Sequence, residues 1–229
     1  MRAVILVGGQ GKRLRPLTDD KPKTLVEVGG KPIIEWEINW LKKCGIDSFV
    51  ILAGYMKDKL MDYLDEGRRF GVEIEYVVET EPLGTGGAIK YAQKALADDG
   101  NFLVINGDNI WNMDISKMAL RPNSVAALAL NQLRSTYGVV RVDDNKVVGF
   151  DEKPILPDHW MNAGIYLMTQ EIFDFLPDNG AIETLTFPQL VRADRLDGIR
   201  FPGAYWRGAD NVKDVEEISA DLKAGKVFD

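Results

Sequence analysis

Ala3-Val4-Ile5-Leu6-Val7-Gly8-Gly9-Gln10-Gly11-Lys12-Arg13-Leu14-Arg15-Pro16-Leu17-Thr18 is the stretch whose reading decides the fold. A short, unbroken apolar run that halts at two glycines reads as a strand buried on both faces, followed by a loop. Moving outward, Pro32 opens a helix with Ile34, Ile38 and Leu41 on one face, and Gly45 ends it. Phe49 to Ala53 is the next buried strand. A polar helix from Lys57 to Glu66 turns Leu60, Tyr63 and Leu64 inward. Strand Ile74 to Val78, helix Thr85 to Leu96 and strand Phe102 to Ile105 continue the alternation. Such repetition predicts an α/β fold, a mainly parallel sheet with helices on both faces.

The second half is more mixed. Val125 to Leu130, Gly138 to Val142, Lys146 to Phe150 and Ala163 to Met168 read as strands, with a hairpin turn at Asp143-Asp144-Asn145. Glu171 to Leu176, Glu183 to Ala193 and Val212 to Ala224 read as helices. No long linker or repeat period interrupts the 229 residues. The expectation is one continuous core with an added antiparallel section, a single domain over 1–229.

Composition narrows the chemistry. One cysteine excludes an internal disulfide and a thiolate zinc site, and one histidine excludes paired-histidine metal motifs. With 35 acidic against 28 basic side chains, the net charge of −7 argues against a duplex nucleic-acid binder. The apolar run at the start is too short for a signal-peptide core, and no later run approaches a membrane span, so no membrane partner and a cytoplasmic location are expected. What remains is chemistry by carboxylates, lysines, arginines and backbone amides, with a hard cation.

The first loop suits a phosphate: glycines let backbone N–H groups come close, and Arg13 adds a planar cation. A Walker A loop fails because Arg13 follows Gly11-Lys12, and a dinucleotide fingerprint fails because Leu14 stands where its third glycine belongs. A tight turn alone would also explain Gly8, Gly9 and Gly11. The pattern Gly-Gly-x-Gly-x-Arg-Leu-x-Pro-Leu-Thr followed by Pro22-Lys23 resembles the sugar-1-phosphate nucleotidyltransferases, and the resemblance runs over nearly the whole chain. It implies a Rossmann-like nucleotide-diphospho-sugar transferase fold in which Leu6, Gly8, Gly9 and Gly11 wrap the nucleotide. Arg13 and Lys23 would contact phosphates during transfer.

Glu79-Thr80-Glu81-Pro82-Leu83-Gly84-Thr85-Gly86-Gly87-Ala88 follows a strand and starts a helix, where small residues admit a base. The resemblance implies base recognition by Glu79, Gly84 and Thr85. A glycine-rich helix start, with Gly86 and Gly87 packing closely on the sheet, is the plainer reading. Asp108, just past a buried strand, is either a turn former or a ligand for Mg²⁺, the cofactor that the resemblance implies. It also assigns Gly138, Glu152, Lys153 and Asn162 to the sugar phosphate, whereas Glu152-Lys153 alone reads equally as a solvated pair.

One segment departs from the pattern. Relatives carry Trp-x-Asp-Ile-Gly-x-Pro-x-Asp, whose first aspartate is the second metal ligand. Here Gly208 stands in that place, within Trp206-Arg207-Gly208-Ala209-Asp210, and Asp210 is taken as the substitute. Asp214 is assigned to the final helix, His159 to a surface loop, Cys44 to packing, and Trp36 and Trp40 to helix packing or a homo-oligomer contact. No hexapeptide repeat is seen, so no C-terminal left-handed β-helix is expected.

The implied reaction joins an NTP to a sugar 1-phosphate with loss of pyrophosphate. Motifs Leu6-Val7-Gly8-Gly9, Glu81 to Ala88 and Asn162 to Tyr166 most resemble guanylyltransferases acting on mannose or heptose 1-phosphate. Uridylyl or thymidylyl transfer to glucose-type or amino-sugar phosphates, and a weakly active nucleotide-sugar-binding subunit, are the alternatives.

Overall fold

The computed structural model describes residues 1–228. In chain order the first half supplies β1 (Ala3–Leu6), α1 (Ile33–Lys43), β2 (Ser48–Ala53), α2 (Lys57–Leu64), β3 (Glu73–Val78), α3 (Gly84–Tyr91) and β4 (Asn101–Asn106). The second half adds β5 (Asn109–Trp111), β6 (Ala126–Arg134), β7 (Val139–Asp143), β8 (Lys146–Asp151), β9 (Ile155–Thr169) and α4 (Ile182–Leu185). It closes with α5 (Phe187–Arg192), β10 (Leu196–Arg200), β11 (Trp206–Gly208) and α6 (Val212–Lys223).

The main sheet has seven strands in the order β10-β6-β9-β4-β1-β2-β3. Six of them run the same way, and β9 alone is reversed, pairing antiparallel with both β4 and β6. Alternate residues of β1, β2 and β4 enter opposite cores, as a strand covered on both faces requires. Ile5, Ile51 and Ile105 meet α1 and α2 through Ile34, Ile38, Leu41, Leu60 and Leu64. Val4, Val50 and Val104 meet α3, α4 and α5 through Ala88, Ile89, Ile182 and Leu190. Burying each such Leu or Ile contributes about 1.5–3 kcal/mol before entropy is counted. A third cluster packs Leu14, Ile33, Ile110, Val215 and Ile218 beneath the first loop.

Several expectations change. The section Val139–Asp151 does not extend the core sheet; β7 and β8 form their own two-stranded hairpin. The antiparallel element within the core is β9, far longer than the predicted Ala163 to Met168 and broken by two irregularities. His159 is exposed in the first of these. The predicted helix Glu183 to Ala193 is divided at Thr186, because Pro188 cannot donate to Thr184 and its ring would strike that carbonyl. The predicted helix Glu171 to Leu176 is a 3₁₀ turn over Gln170–Asp174. Strands β5, β10 and β11 were not anticipated.

Trp36 stacks on Phe228 with ring centroids 5.5 Å apart, and Trp40 packs on the same ring at 5.0 Å in a tilted arrangement, which gives both indoles an intramolecular partner. Among the described residues no helix is long and apolar enough to cross a membrane.

Candidate active site

The strand order reverses between β1 and β4: β2 and β3 extend the sheet from one side of β1, and β4 lies on the other. In open α/β sheets a crevice forms at the carboxyl ends of strands at such a point. A cleft of about 410 Å³ opens there, walled by Leu6 to Gln10, Lys23 and Thr24, Glu79, Pro82, Gly84 and Thr85, and Asn106 to Asp108. A smaller hollow of about 230 Å³ shares Gly8, Gln10, Glu79 and Pro82 with it, so Glu79 stands on the wall between the two.

The first loop folds back on itself to reach this cleft. Gly11 takes φ +58, and a β-carbon there would lie 3.1 Å from both Lys23 Cβ and Thr18 Cγ2. Thr18 Oγ1 donates to the Gly11 carbonyl at 2.9 Å and fixes the fold-back. Glycine is therefore needed to set Arg13 and Lys23 side by side. Lys23 Nζ donates to Asp108 Oδ2 at 2.7 Å and to Asp210 Oδ1 at 3.1 Å. Arg13 donates to the same Asp210 oxygen at 2.9 Å. Two cations from the N-terminal segment thus meet one carboxylate from the middle of the chain and one from near its end, and Lys23 bridges them with its side chain 11% exposed.

Asp210 sits where the departure at Gly208 becomes intelligible. A β-carbon on Gly208 would lie 3.3 Å from Asp210 Oδ2 and 3.1 Å from Asn109 Oδ1. The Asp210 carboxylate therefore occupies the space toward which a side chain at 208 would point. Its backbone is held by α6: Asp214 accepts from the N–H groups of Asp210 and Asn211, and the Asn211 side chain accepts from Asp214 N–H. This reciprocal capping box makes Asp214 part of the final helix, as expected from the sequence, and also a support for Asp210.

At the other end of the cleft, Glu79 is half-buried, and burial pushes its carboxyl above the usual range while the Leu83 backbone opposes the shift. Gly84 takes φ +73, and a β-carbon there would strike the Gly180 backbone at 2.7 Å. Gly86 and Gly87 do not serve helix–sheet packing. They admit the 177–180 loop, and Gly86 N–H donates to Gly180 O at 2.9 Å. The Thr85 hydroxyl donates to Glu183 at 2.8 Å and accepts from Ile182 N–H, so it ties α3 to α4. It lines the cleft, but its hydroxyl is already engaged.

The residues expected to hold the sugar are not gathered with the rest: the cleft wall contains none of Gly138, Glu152, Lys153 and Asn162. Gly138 and Glu152 face each other at the base of the hairpin, where a β-carbon on Gly138 would lie 3.1 Å from Glu152 Oε2. Lys153 adopts φ +48, a conformation that is costly for a residue with a side chain and is concentrated at functional sites. Asn162 is exposed beside the second irregularity of β9; it accepts from Gly164 N–H at 2.9 Å and donates to Tyr166 at 3.0 Å. Gly164 packs directly on Asn106, which links Asn162 to the cleft wall. Asn106 was not singled out from the sequence, although its side-chain oxygen is buried at the cleft without a partner among the described residues.

Known proteins share both the sequence and the architecture. The family described as nucleotidyl transferase matches residues 2–225. A D-glycero-alpha-D-manno-heptose 1-phosphate guanylyltransferase from Campylobacter jejuni is 37% identical over 177 residues, 76% of this chain and 78% of that one. A mannose-1-phosphate guanyltransferase from Yarrowia lipolytica is 36% identical over 225 residues, 93% of this chain and 62% of its own length. The bifunctional protein GlmU from Methanococcus maripaludis is 34% identical, and the match spans 53% of its length. The chain thus spans only about half to three-fifths of these last two. The solved structure of HddC from Yersinia pseudotuberculosis complexed with GMP-PN superposes with a TM-score of 0.74 at 25% identity, covering 96% of this chain and 99% of that one. The inositol-1-phosphate CTP transferase from T. maritima shares the fold, at a TM-score of 0.74 and 21% identity, covering 98% and 96% of the two chains.

Proposed function

The chain belongs to the nucleotidyl transferase family, and from that premise we propose that it transfers the guanylyl group of GTP to a mannose- or heptose-type sugar 1-phosphate. A phosphate oxygen of the sugar 1-phosphate attacks the α-phosphorus. The new P–O bond forms as the α–β bridging P–O bond breaks, its electron pair leaving with pyrophosphate, and an NDP-sugar results. The phosphate monoester is already a competent nucleophile, so alignment and charge neutralisation are the protein's share.

The observation that carries this reading is the meeting of Arg13, Lys23, Asp108 and Asp210 at the mouth of the cleft. Arg13 and Lys23 neutralise the triphosphate, while Leu6, Gly8 and Gly9 line its path and Gly11 turns the loop that carries Arg13 toward Lys23. Asp108 and Asp210 are the two carboxylates that would hold Mg²⁺. They already share one ammonium ion, and Mg²⁺ is commonly held by one or two carboxylates plus substrate phosphates. The metal would add positive charge at the phosphates. Gly138, Glu152, Lys153 and Asn162 are assigned to the sugar phosphate, Lys153 by charge and the others by hydrogen bonding. The reaction is placed in the cytoplasm, with no nucleic-acid or membrane partner, and residues 1–229 act as a single domain.

Guanine is favoured because its N1–H and N2–H₂ groups are two adjacent donors, and Glu79 offers two acceptor oxygens whose charge is poorly satisfied by the protein alone. Uracil and thymine present a donor flanked by carbonyls, which suits an amide better. Pyrophosphate release should therefore be greatest with GTP among GTP, UTP, dTTP and CTP, paired with mannose, heptose, glucose and amino-sugar 1-phosphates. Glu79→Gln should lower kcat/KM for GTP by about tenfold to a hundredfold, the 1–3 kcal/mol of one mispaired hydrogen-bonding group, and raise the ratio of UTP to GTP use. An unchanged ratio would remove Glu79 from base selection. No release with any pair, together with tight NDP-sugar binding, would instead favour a binding subunit.

A further inference from the structure

Glu37 is the most anomalous polar residue near the cleft. It lies on α1, is 2% exposed, and among the described residues neither carboxyl oxygen has a partner at full hydrogen-bond geometry. Buried polar groups are nearly always paired, and carboxylates are among the residues least often buried. α1 packs on β5 and on the Lys23–Leu25 turn, the two segments that follow Asp108 and carry Lys23.

The ladder between β5 and β11 shows which amides of β5 are left free to face α1. Ala209 N–H donates to Asp108 O at 3.1 Å, and Asn112 N–H donates to Tyr205 O at 3.2 Å. With Gly208 opposite Asn109 and Trp206 opposite Trp111, the alternation of an antiparallel pair turns the N–H groups of Asn109 and Trp111 away from β11. Burial and the charge of Asp108 push the Glu37 carboxyl well above the usual range, and the backbone amide of Asn109 opposes that shift, which sets this amide on the side of α1 that carries Glu37.

We propose that Glu37 is a positioning residue: its carboxyl oxygen receives the Asn109 N–H from behind and so fixes the turn that holds Asp108 against Lys23. The residue touches no substrate and acts only through that turn. A buried carboxyl is an expensive way to hold one amide, which places its benefit in the geometry of the site above rather than in stability.

The consequence for turnover rests on the proposed transfer reaction, whereas the contact itself does not. Two variants separate them: Glu37→Met removes the acceptor at similar volume, and Glu37→Gln keeps an acceptor oxygen. Amide hydrogen exchange at Asn109 should speed up at least tenfold in Glu37→Met and stay within threefold of wild type in Glu37→Gln. In the transfer assay Glu37→Met should lose at least tenfold in kcat, with both KM values within threefold and no drop in Tm, and Glu37→Gln should retain most of the rate. Unchanged exchange at Asn109 in Glu37→Met overturns the proposal. So does an unchanged kcat in that variant, a Tm that falls in step with kcat, or a Glu37→Gln enzyme as slow as Glu37→Met. A wild-type protein that transfers nothing while Asn109 responds as stated would overturn the reaction and leave the Glu37–Asn109 contact standing.

Discussion

Lys23→Met is expected to lower kcat by about 10²–10³-fold, equivalent to about 2.7–4 kcal/mol, the range seen when a preorganised group facing developing charge is removed. Among the described residues the ammonium is the one group bonded to both carboxylates, and its side chain is 11% exposed, so bulk water cannot stand in for it. Methionine keeps the stem against Gly11, where the loop closes on Lys23 Cβ. The fold should therefore persist, since the partners left behind are 37% and 44% exposed and water screens them. Steady-state kinetics at saturating GTP, with Tm as the control, checks this. A kcat within threefold of wild type would remove Lys23 from the machinery.

Asp210→Asn is the second large effect, expected at about a hundredfold or more in kcat together with a higher Mg²⁺ concentration for half-maximal rate. Asparagine keeps the shape and the backbone hydrogen bond to Asp214 but removes the charge that Arg13 and Lys23 both meet. Adding Gly208→Asp to that variant should restore at least tenfold, because a side chain at 208 points at the Asp210 carboxylate. The neighbouring Asn109 must give way by a few tenths of an ångström to admit it. A titration of rate against Mg²⁺ in the three proteins reads the outcome. If Asp210→Asn retains wild-type turnover and Mg²⁺ dependence, the acidic role does not lie at 210.

Much of this was legible in the sequence where a single physical requirement dominates. The run Ala3 to Val7 ending in glycine could hardly be anything but a doubly buried strand with a loop at its carboxyl end, and its neighbours followed from the same alternation. Elements set by tertiary contact were not legible. Asn109–Trp111 and Trp206–Gly208 are three residues each and exist because they pair with each other across nearly half of the chain. The division at Thr186 was readable in principle from Pro188. Within the site, Arg13 and Asp108 stand out as charges close to glycines, Lys23 by the Pro22-Lys23 pair that follows the first loop, and the loss at Gly208 as a broken pattern. That Asp210 fills the space facing Gly208 is a matter of where two side-chain directions converge, which spacing does not encode. Glu37 left a weak trace: it falls on the buried stripe of α1 between Ile34 and Leu41, where a carboxylate has no ordinary reason to be.

The most direct measurement is ³¹P NMR of the purified protein with GTP, mannose or heptose 1-phosphate and Mg²⁺. Guanylyl transfer predicts loss of the GTP and sugar-phosphate signals, a pyrophosphate resonance, and two mutually coupled signals of a nucleoside diphosphate sugar in equal amount. Inorganic phosphate with GDP, or GMP and pyrophosphate without the coupled pair, would mean that water and not the sugar phosphate is the nucleophile. Either result would contradict sugar-1-phosphate guanylyl transfer.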